Sequence, residues 1–163
     1  MQIWQQITLL WLAFAAAHML LSHMPVRKAL IGRLGGGAFT GLYSLISLAI
    51  FVPLVWVYIE HRHEGPLLWN LLAVPGVKHV AMLLALLAIA GVVAGYAQPA
   101  PTSILPGSRT SPYGLTRITR HPLFMSLGLW GLSHCLINGF ASDVAFFAGF
   151  PVFAVLGCAH QDS

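Results

Sequence analysis

Five apolar stretches, residues 3–24, 38–59, 77–97, 122–138 and 143–159, occupy most of a 163-residue chain. Each approaches the roughly 20 residues that a helix needs to cross a hydrocarbon core about 30 Å thick. In that solvent every backbone N–H and C=O must be satisfied within the protein, so all five read as helices. Composition agrees: 58% of residues are hydrophobic, only 7% are charged, and the mean hydropathy is +0.80, far from the habit of a soluble domain. The expected fold is therefore all-α, a polytopic membrane bundle of about five transmembrane helices, with the lipid bilayer as its first partner. At this length it forms one domain over 1–163. The fourth stretch is the shortest and most polar, which suits a tilted helix or one packed inside the bundle.

Breakers mark the joints: Pro25, Gly35 to Gly37, Gly65-Pro66, Pro75-Gly76, Pro99, Pro101, Pro106-Gly107, Pro112 and Asn138-Gly139. The Gly35 to Gly37 cluster follows no strand and joins two spans, so it reads as a flexible turn rather than a nucleotide loop. Loop charge sets the orientation. Arg27, Lys28 and Arg33 fall in the first loop and Arg109, Arg117 and Arg120 in the third, whereas Arg62 and Lys78 are offset by Glu60 and Glu64. The first and third loops are expected to be cytoplasmic, which puts the N-terminus outside and the C-terminus inside. The formal charge of +4 contains no basic run long enough for nucleic acid. A cleaved leader is not expected, because the first stretch lacks a basic flank and is too long for an ordinary signal core.

Cys135 and Cys158 fall at opposite ends of neighbouring spans, about 15 Å apart in depth at 1.5 Å per residue. A disulfide needs Cα atoms within about 7 Å, so they are not expected to pair.

His18 and His134 lie well inside apolar stretches, where an ionisable side chain marks a functional candidate. His134 stands about 18 Å from the cytoplasmic edge and His18 about 9 Å from it. Two facing helices could present them to opposite faces of one metal, and neutral histidine is a common ligand of haem iron. Gly128 and Gly131 near His134 would leave room for a flat cofactor. Alternatively, each ring could hydrogen-bond a hydroxyl such as Ser22 or Ser133.

His61 and His63 form a His-x-His pair in the polar second loop, where no third ligand is evident and a solvated loop is the simpler reading. His23 and His79 sit near span ends, as interfacial anchors. His160 closes the fifth span on the face of Gly149, Phe153 and Gly157, as a ligand, a propionate contact or an end residue. Arg117, Arg120 and His121 precede Pro122, whose fixed φ suits a first helical turn. Guanidinium groups beside a helix N-terminus attract anions, such as haem propionates, lipid phosphates or an acidic substrate group; ordinary positive-inside anchoring also explains them.

The segments HMPVRKALIGRLGGGAFTGLYSLISL and RHPLFMSLGLWGLSHCLING, with a terminal HQD, resemble the NnrU family of bacterial membrane proteins. The specific positions are Leu42-Tyr43-Ser44-Leu45 with Ser47, Arg120-His121-Pro122, Leu129-Trp130, His134 and Asn138-Gly139. That family is similar to the plant and cyanobacterial 15-cis-zeta-carotene isomerases, membrane enzymes with haem b in which redox state controls axial ligation. The resemblance implies haem b as cofactor, His18 and His134 as metal ligands, and Arg117, Arg120, His121 and His160 as further cofactor contacts. It also implies a bacterial cytoplasmic membrane, a link to nitrite and nitric oxide respiration, and reductase components or an apolar polyene as partners. Many members continue past Gln161-Asp162 with a further segment, and any site that such a segment completes lies beyond this sequence.

Three functions follow as expectations. The first is a haem b protein acting as a redox-gated cis-trans isomerase or a nitric oxide responsive component. The second is a membrane methyltransferase, because Arg-His-Pro before a short helix also resembles the isoprenylcysteine carboxyl methyltransferases. The third is a non-catalytic assembly partner of respiratory reductases.

Overall fold

The computed structural model describes residues 1–98, 111 and 113–162. Among them are six α-helices: α1 Ile3–Ser22, α2 Met24–Leu34, α3 Gly36–Glu60, α4 Val77–Ala97, α5 Pro122–Ile137 and α6 Ala141–Asp162. The breakers expected at Pro99, Pro101, Pro106-Gly107 and Pro112, and the loop cation Arg109, lie outside the described residues. The five expected spans correspond to α1, α3, α4, α5 and α6. Of these, α1, α3, α4 and α6 are long and apolar enough to cross a membrane. With 16 residues, α5 extends only about 24 Å. Large apolar side chains such as Leu45, Trp56, Met82, Leu86 and Val155 are exposed, a pattern that suits lipid rather than water as the surrounding solvent.

The first loop departs from expectation, because it is helical. Pro25 sits in the first turn of α2, where its missing N–H is no loss. The glycine cluster is a single joint rather than a flexible turn: Gly35 alone takes φ 84° and ψ 157°, backbone space that essentially only glycine enters without strain. Gly36 already begins α3.

The chain divides into two compact units. The first comprises residues 1–66 and 141–146. Here α1 and α3 run antiparallel, their contact filled by Trp11, Phe14 and Phe51; Ile7 and Leu54 are completely buried. Trp11 Nε1–H donates to the Phe146 carbonyl at 3.0 Å, and Tyr58 stacks on the Phe146 ring at 4.0 Å. These contacts bind the start of α6 to the α1–α3 pair.

The second unit comprises residues 67–140 and 147–163, and small residues determine its packing. A Cβ on Gly95 would meet Leu123, and one on Gly91 would meet Ser126, so α4 lies close against α5. On its other side α5 packs against α6. There the pairs Phe124–Gly157, Gly128–Ala154 and Gly131–Phe150 run in antiparallel register. Close approach through glycine and alanine is how membrane helices gain van der Waals contact when lipid removes the hydrophobic incentive. Accordingly Ser126, Gly128, Gly131 and Ser133 of α5 are buried, consistent with the expectation that this short helix packs inside.

Candidate functional site

In the second unit His134 projects from the last turn of α5. Its ring stacks on Phe147 with centroids 4.4 Å apart and planes 12° from parallel, and it meets the edge of Trp130 at 4.6 Å. The α5–α6 register that sets Gly131 opposite Phe150 also sets His134 opposite Phe147. A cavity of about 380 Å³ opens beside it, walled by Leu72, Ala81, Met82, Ala85 and Ile137, with Lys78 and Ser133 at its polar points. At about 30 Å³ for a water-sized group, this holds roughly a dozen such groups. The space lies on the α4 side of His134. Gly128 and Gly131 do not provide it, contrary to the sequence reading: their faces are taken by Pro151, Ala154, Phe147 and Phe150 of α6. Those glycines serve helix packing.

His18 belongs to the first unit. Its Nε2 shares a hydrogen bond with the Tyr43 hydroxyl, its ring lies 5.3 Å from Phe14, and its Nδ1 is buried. The hydroxyl partner is thus a tyrosine of α3 rather than Ser22, which donates to the Met19 carbonyl; Ser133 likewise donates to Trp130. His18 and His134 thus fall in different units.

The remaining candidates gather at the other end of α5. His121 caps α5 and is buried against Phe124. Carrying the α5–α6 register one turn further places His160 at the same end of the helix pair. Arg117, in the short 3-10 turn at Gly114–Arg117, and Arg120 are both exposed beside it. Cys135 and Cys158 form no disulfide.

A polar cluster in the first unit was not anticipated. Asp143, in the first turn of α6, is fully buried. Its Oδ1 accepts the His63 backbone N–H at 3.1 Å and its Oδ2 faces His63 Nδ1 at 2.8 Å, while the Tyr58 hydroxyl also hydrogen-bonds this carboxylate. Next to it, Ser142 Oγ accepts the Glu64 N–H at 2.9 Å, and the Ser142 N–H donates to the Glu64 carbonyl at 3.2 Å. His61 Nδ1 faces Glu64 at 3.1 Å. One sequence signal was present: Asp143 is an acidic residue set between apolar segments, where a charge demands a partner. Among the described residues no group of three or more His, Cys, Asp or Glu is placed to hold a metal.

Membrane-spanning helices with imidazoles set among aromatic and aliphatic side chains define a polytopic helical membrane protein. The chain belongs to the NnrU family, whose profile, described as NnrU protein, matches residues 6–163. It is 33% identical over 139 residues to the chloroplastic 15-cis-zeta-carotene isomerase of Arabidopsis thaliana, a match covering 80% of this chain and 36% of that protein. To the enzyme of the same name from Zea mays it is 24% identical over 135 residues, covering 78% and 36% respectively. The chain thus spans about a third of the length of these curated relatives. No solved structure matches it.

Proposed function

We propose that this protein is an isomerase-like membrane protein that handles an apolar polyene, with haem b as the cofactor that His134 of the second unit, or His18 of the first, would ligate. The observation that carries the reading is His134 itself, an imidazole clamped between Phe147 and Trp130 at the wall of an apolar cavity. Its relatives named 15-cis-zeta-carotene isomerase support the reaction class.

The donor set fits the cofactor by type: neutral imidazole in apolar surroundings is what haem iron takes from a protein. When bound, haem would supply an iron whose ligation follows its redox state and which can act as a Lewis acid. The chain's own contribution is positioning. Phe147 and Trp130 fix the plane of the His134 ring, and Tyr43 fixes that of His18. Leu72, Ala81, Met82 and Ala85 offer an apolar chain a dry wall on which to lie. Exposed Arg117 and Arg120, with His121 and His160, gather at the other end of α5, about 18 Å along the helix from His134, so in this reading they hold an anion such as a lipid phosphate rather than the carboxylates of a haem bound at His134. The physiological setting we assign is that of the family, the bacterial cytoplasmic membrane and nitrite or nitric oxide respiration, with reductase components as protein partners.

The test is an absorption spectrum of the detergent-purified protein, oxidised and reduced, followed by conversion of a cis-polyene monitored chromatographically. A Soret band that is altered in His134→Ala or in His18→Ala is expected. Absence of the band, or an unchanged spectrum in both variants, refutes the haem reading. Stoichiometric binding of S-adenosylmethionine would replace it with a methyltransferase.

A further inference from the structure

We propose that the cavity beside His134 receives a single apolar chain ending in a carboxylate, with Lys78 as the cation that holds the acid end. The inference rests on the reading above in taking this cavity as the ligand's, and it names the class of molecule that lies there. It does not require haem.

The place of Lys78 follows from helix register within the second unit. Gly95 faces Leu123 and Gly91 faces Ser126, so α4 and α5 run antiparallel. The same register, carried toward the start of α4, brings Lys78 and Ala81 to the level of Ile137 and Ser133, and all four line the cavity. From Lys78 the wall continues through Ala81 and Met82 to Ala85, about 10 Å further along the helix. The short side chains of the two alanines leave its width. Since α4 is long enough to cross a membrane and Lys78 lies in its first turn, the ammonium stands where the helix leaves the hydrocarbon and the alanines lie deeper. The cavity is therefore charged at its polar end and apolar within.

A lysine at the end of a span is by itself ordinary anchoring. Here its surroundings call for an anion. Among the described residues that line the cavity, Lys78 alone is charged, and the Ser133 hydroxyl proton is already donated to the Trp130 carbonyl. No carboxylate of the chain answers the ammonium: among the described residues the ion pairs are His61 with Glu64 and His63 with Asp143, both in the first unit. The first turn of α4 has no acidic residue and no side-chain cap, so Lys78 adds positive charge to the positive end of a helix dipole. An anion from outside the chain relieves that arrangement. The His134 ring offers a second contact, because Asn138 bonds its carbonyl and no hydrogen bond among the described residues engages the imidazole, which keeps an N–H donor.

Size and charge then select the occupant. A volume of about 380 Å³, at about 30 Å³ for a water-sized group, accommodates one chain of roughly a dozen carbons and not the two chains of a phospholipid. One ammonium matches one carboxylate.

The experiment uses the full chain in nanodiscs of zwitterionic lipid and a fatty acid carrying a photoactivatable diazirine in mid-chain, with the labelled residues located by mass spectrometry. Saturable labelling within 81–85 is expected, competed by lauric acid and about ten-fold less effectively by its methyl ester. Lys78→Gln should weaken the labelling about ten-fold, Lys78→Arg should retain it, and Ala85→Phe, which fills the cavity, should abolish it. Lys78 is exposed, so Lys78→Gln carries the test if Ala85→Phe fails to fold. Equal competition by acid and ester, or undiminished labelling in Lys78→Gln, overturns the proposal. Labelling that never saturates overturns it in favour of bulk lipid, and competition by phosphatidylglycerol as strong as that by lauric acid overturns it in favour of a lipid headgroup. The Soret region of the same preparations reports on haem separately: labelling that depends on Lys78 in protein without a Soret band upholds the acid site while refuting haem, and a Soret band with labelling indifferent to Lys78 does the reverse.

Discussion

Among the described residues, Asp143 is a side chain whose removal reaches several groups at once. Replacing it with alanine leaves the His63 backbone N–H, the His63 ring and the Tyr58 hydroxyl without this acceptor, and an unsatisfied buried group costs about 1–3 kcal/mol. Asp143→Ala is therefore expected to lower the thermal unfolding midpoint in detergent clearly, whereas Glu64→Gln, on an exposed partner, leaves it nearly unchanged. Tyr43→Phe removes one hydrogen bond from His18 and should cost about 1 kcal/mol, measured in the same way. The histidines at 18 and 134 were legible in the sequence because an imidazole within an apolar run is conspicuous. Their partners were not. Tyr43 lies 25 residues from His18 and Asp143 lies 80 from His63, and nothing local in either segment signals such a pairing. Tyr43 stood in a recognisable family motif, yet the motif carried no chemistry until the fold brought α1 against α3.

At the scale of the helices, the apolar runs announced five of the six, and the sixth was hidden for a physical reason. The α2 segment carries Arg27, Lys28 and Arg33, buries no residue and shows no apolar stripe, so the periodic signal of a core-facing helix is missing. Pro25 and the glycines on its flanks were read as loop signals, although the first begins α2 and Gly35 ends it. Gly35→Ala is expected to destabilise the joint by about 1–3 kcal/mol, visible as faster proteolysis of the 24–36 segment, while Gly37→Ala, with open space around its Cβ position, should be nearly neutral. The glycines of α5 were noticed in the sequence, but their role was assigned to the wrong neighbour. In Gly131→Ala the new methyl would stand 2.8 Å from both Phe150 Cβ and Pro151 Cδ, inside the closest ordinary carbon contact. Overpacking of this kind costs about 1–3 kcal/mol, and a fall in unfolding midpoint together with loss of the antiparallel α5–α6 register would be its signature.

For the molecule as a whole, class and architecture follow from a very short argument: few charges, long apolar runs, and a solvent that forbids unsatisfied backbone. Orientation rests on a separate quantity, the placement of Arg and Lys. We predict that the first basic segment is cytoplasmic, so that a Lys28→Cys variant in a background lacking Cys135 and Cys158 reacts with a membrane-impermeant maleimide in inverted vesicles and not in intact spheroplasts. The reverse pattern would turn the topology over. Chemistry was less legible than class, because a site requires side chains from separate helices to meet, and hydropathy says which residues enter the membrane without saying which of them become neighbours.

The length of α5 has a bearing on the lipid itself. A rod of about 24 Å, set among helices able to cross a core about 30 Å thick, leaves a local deficit that the bilayer or the flanking polar residues must absorb. Membranes with shorter acyl chains relieve that mismatch, and thicker ones aggravate it at a fraction of a kcal/mol per ångström. Reconstituted into vesicles of graded chain length, the protein should be most stable in the thinnest ones that still cover its longer helices, so that bilayer thickness becomes a variable that tunes its stability.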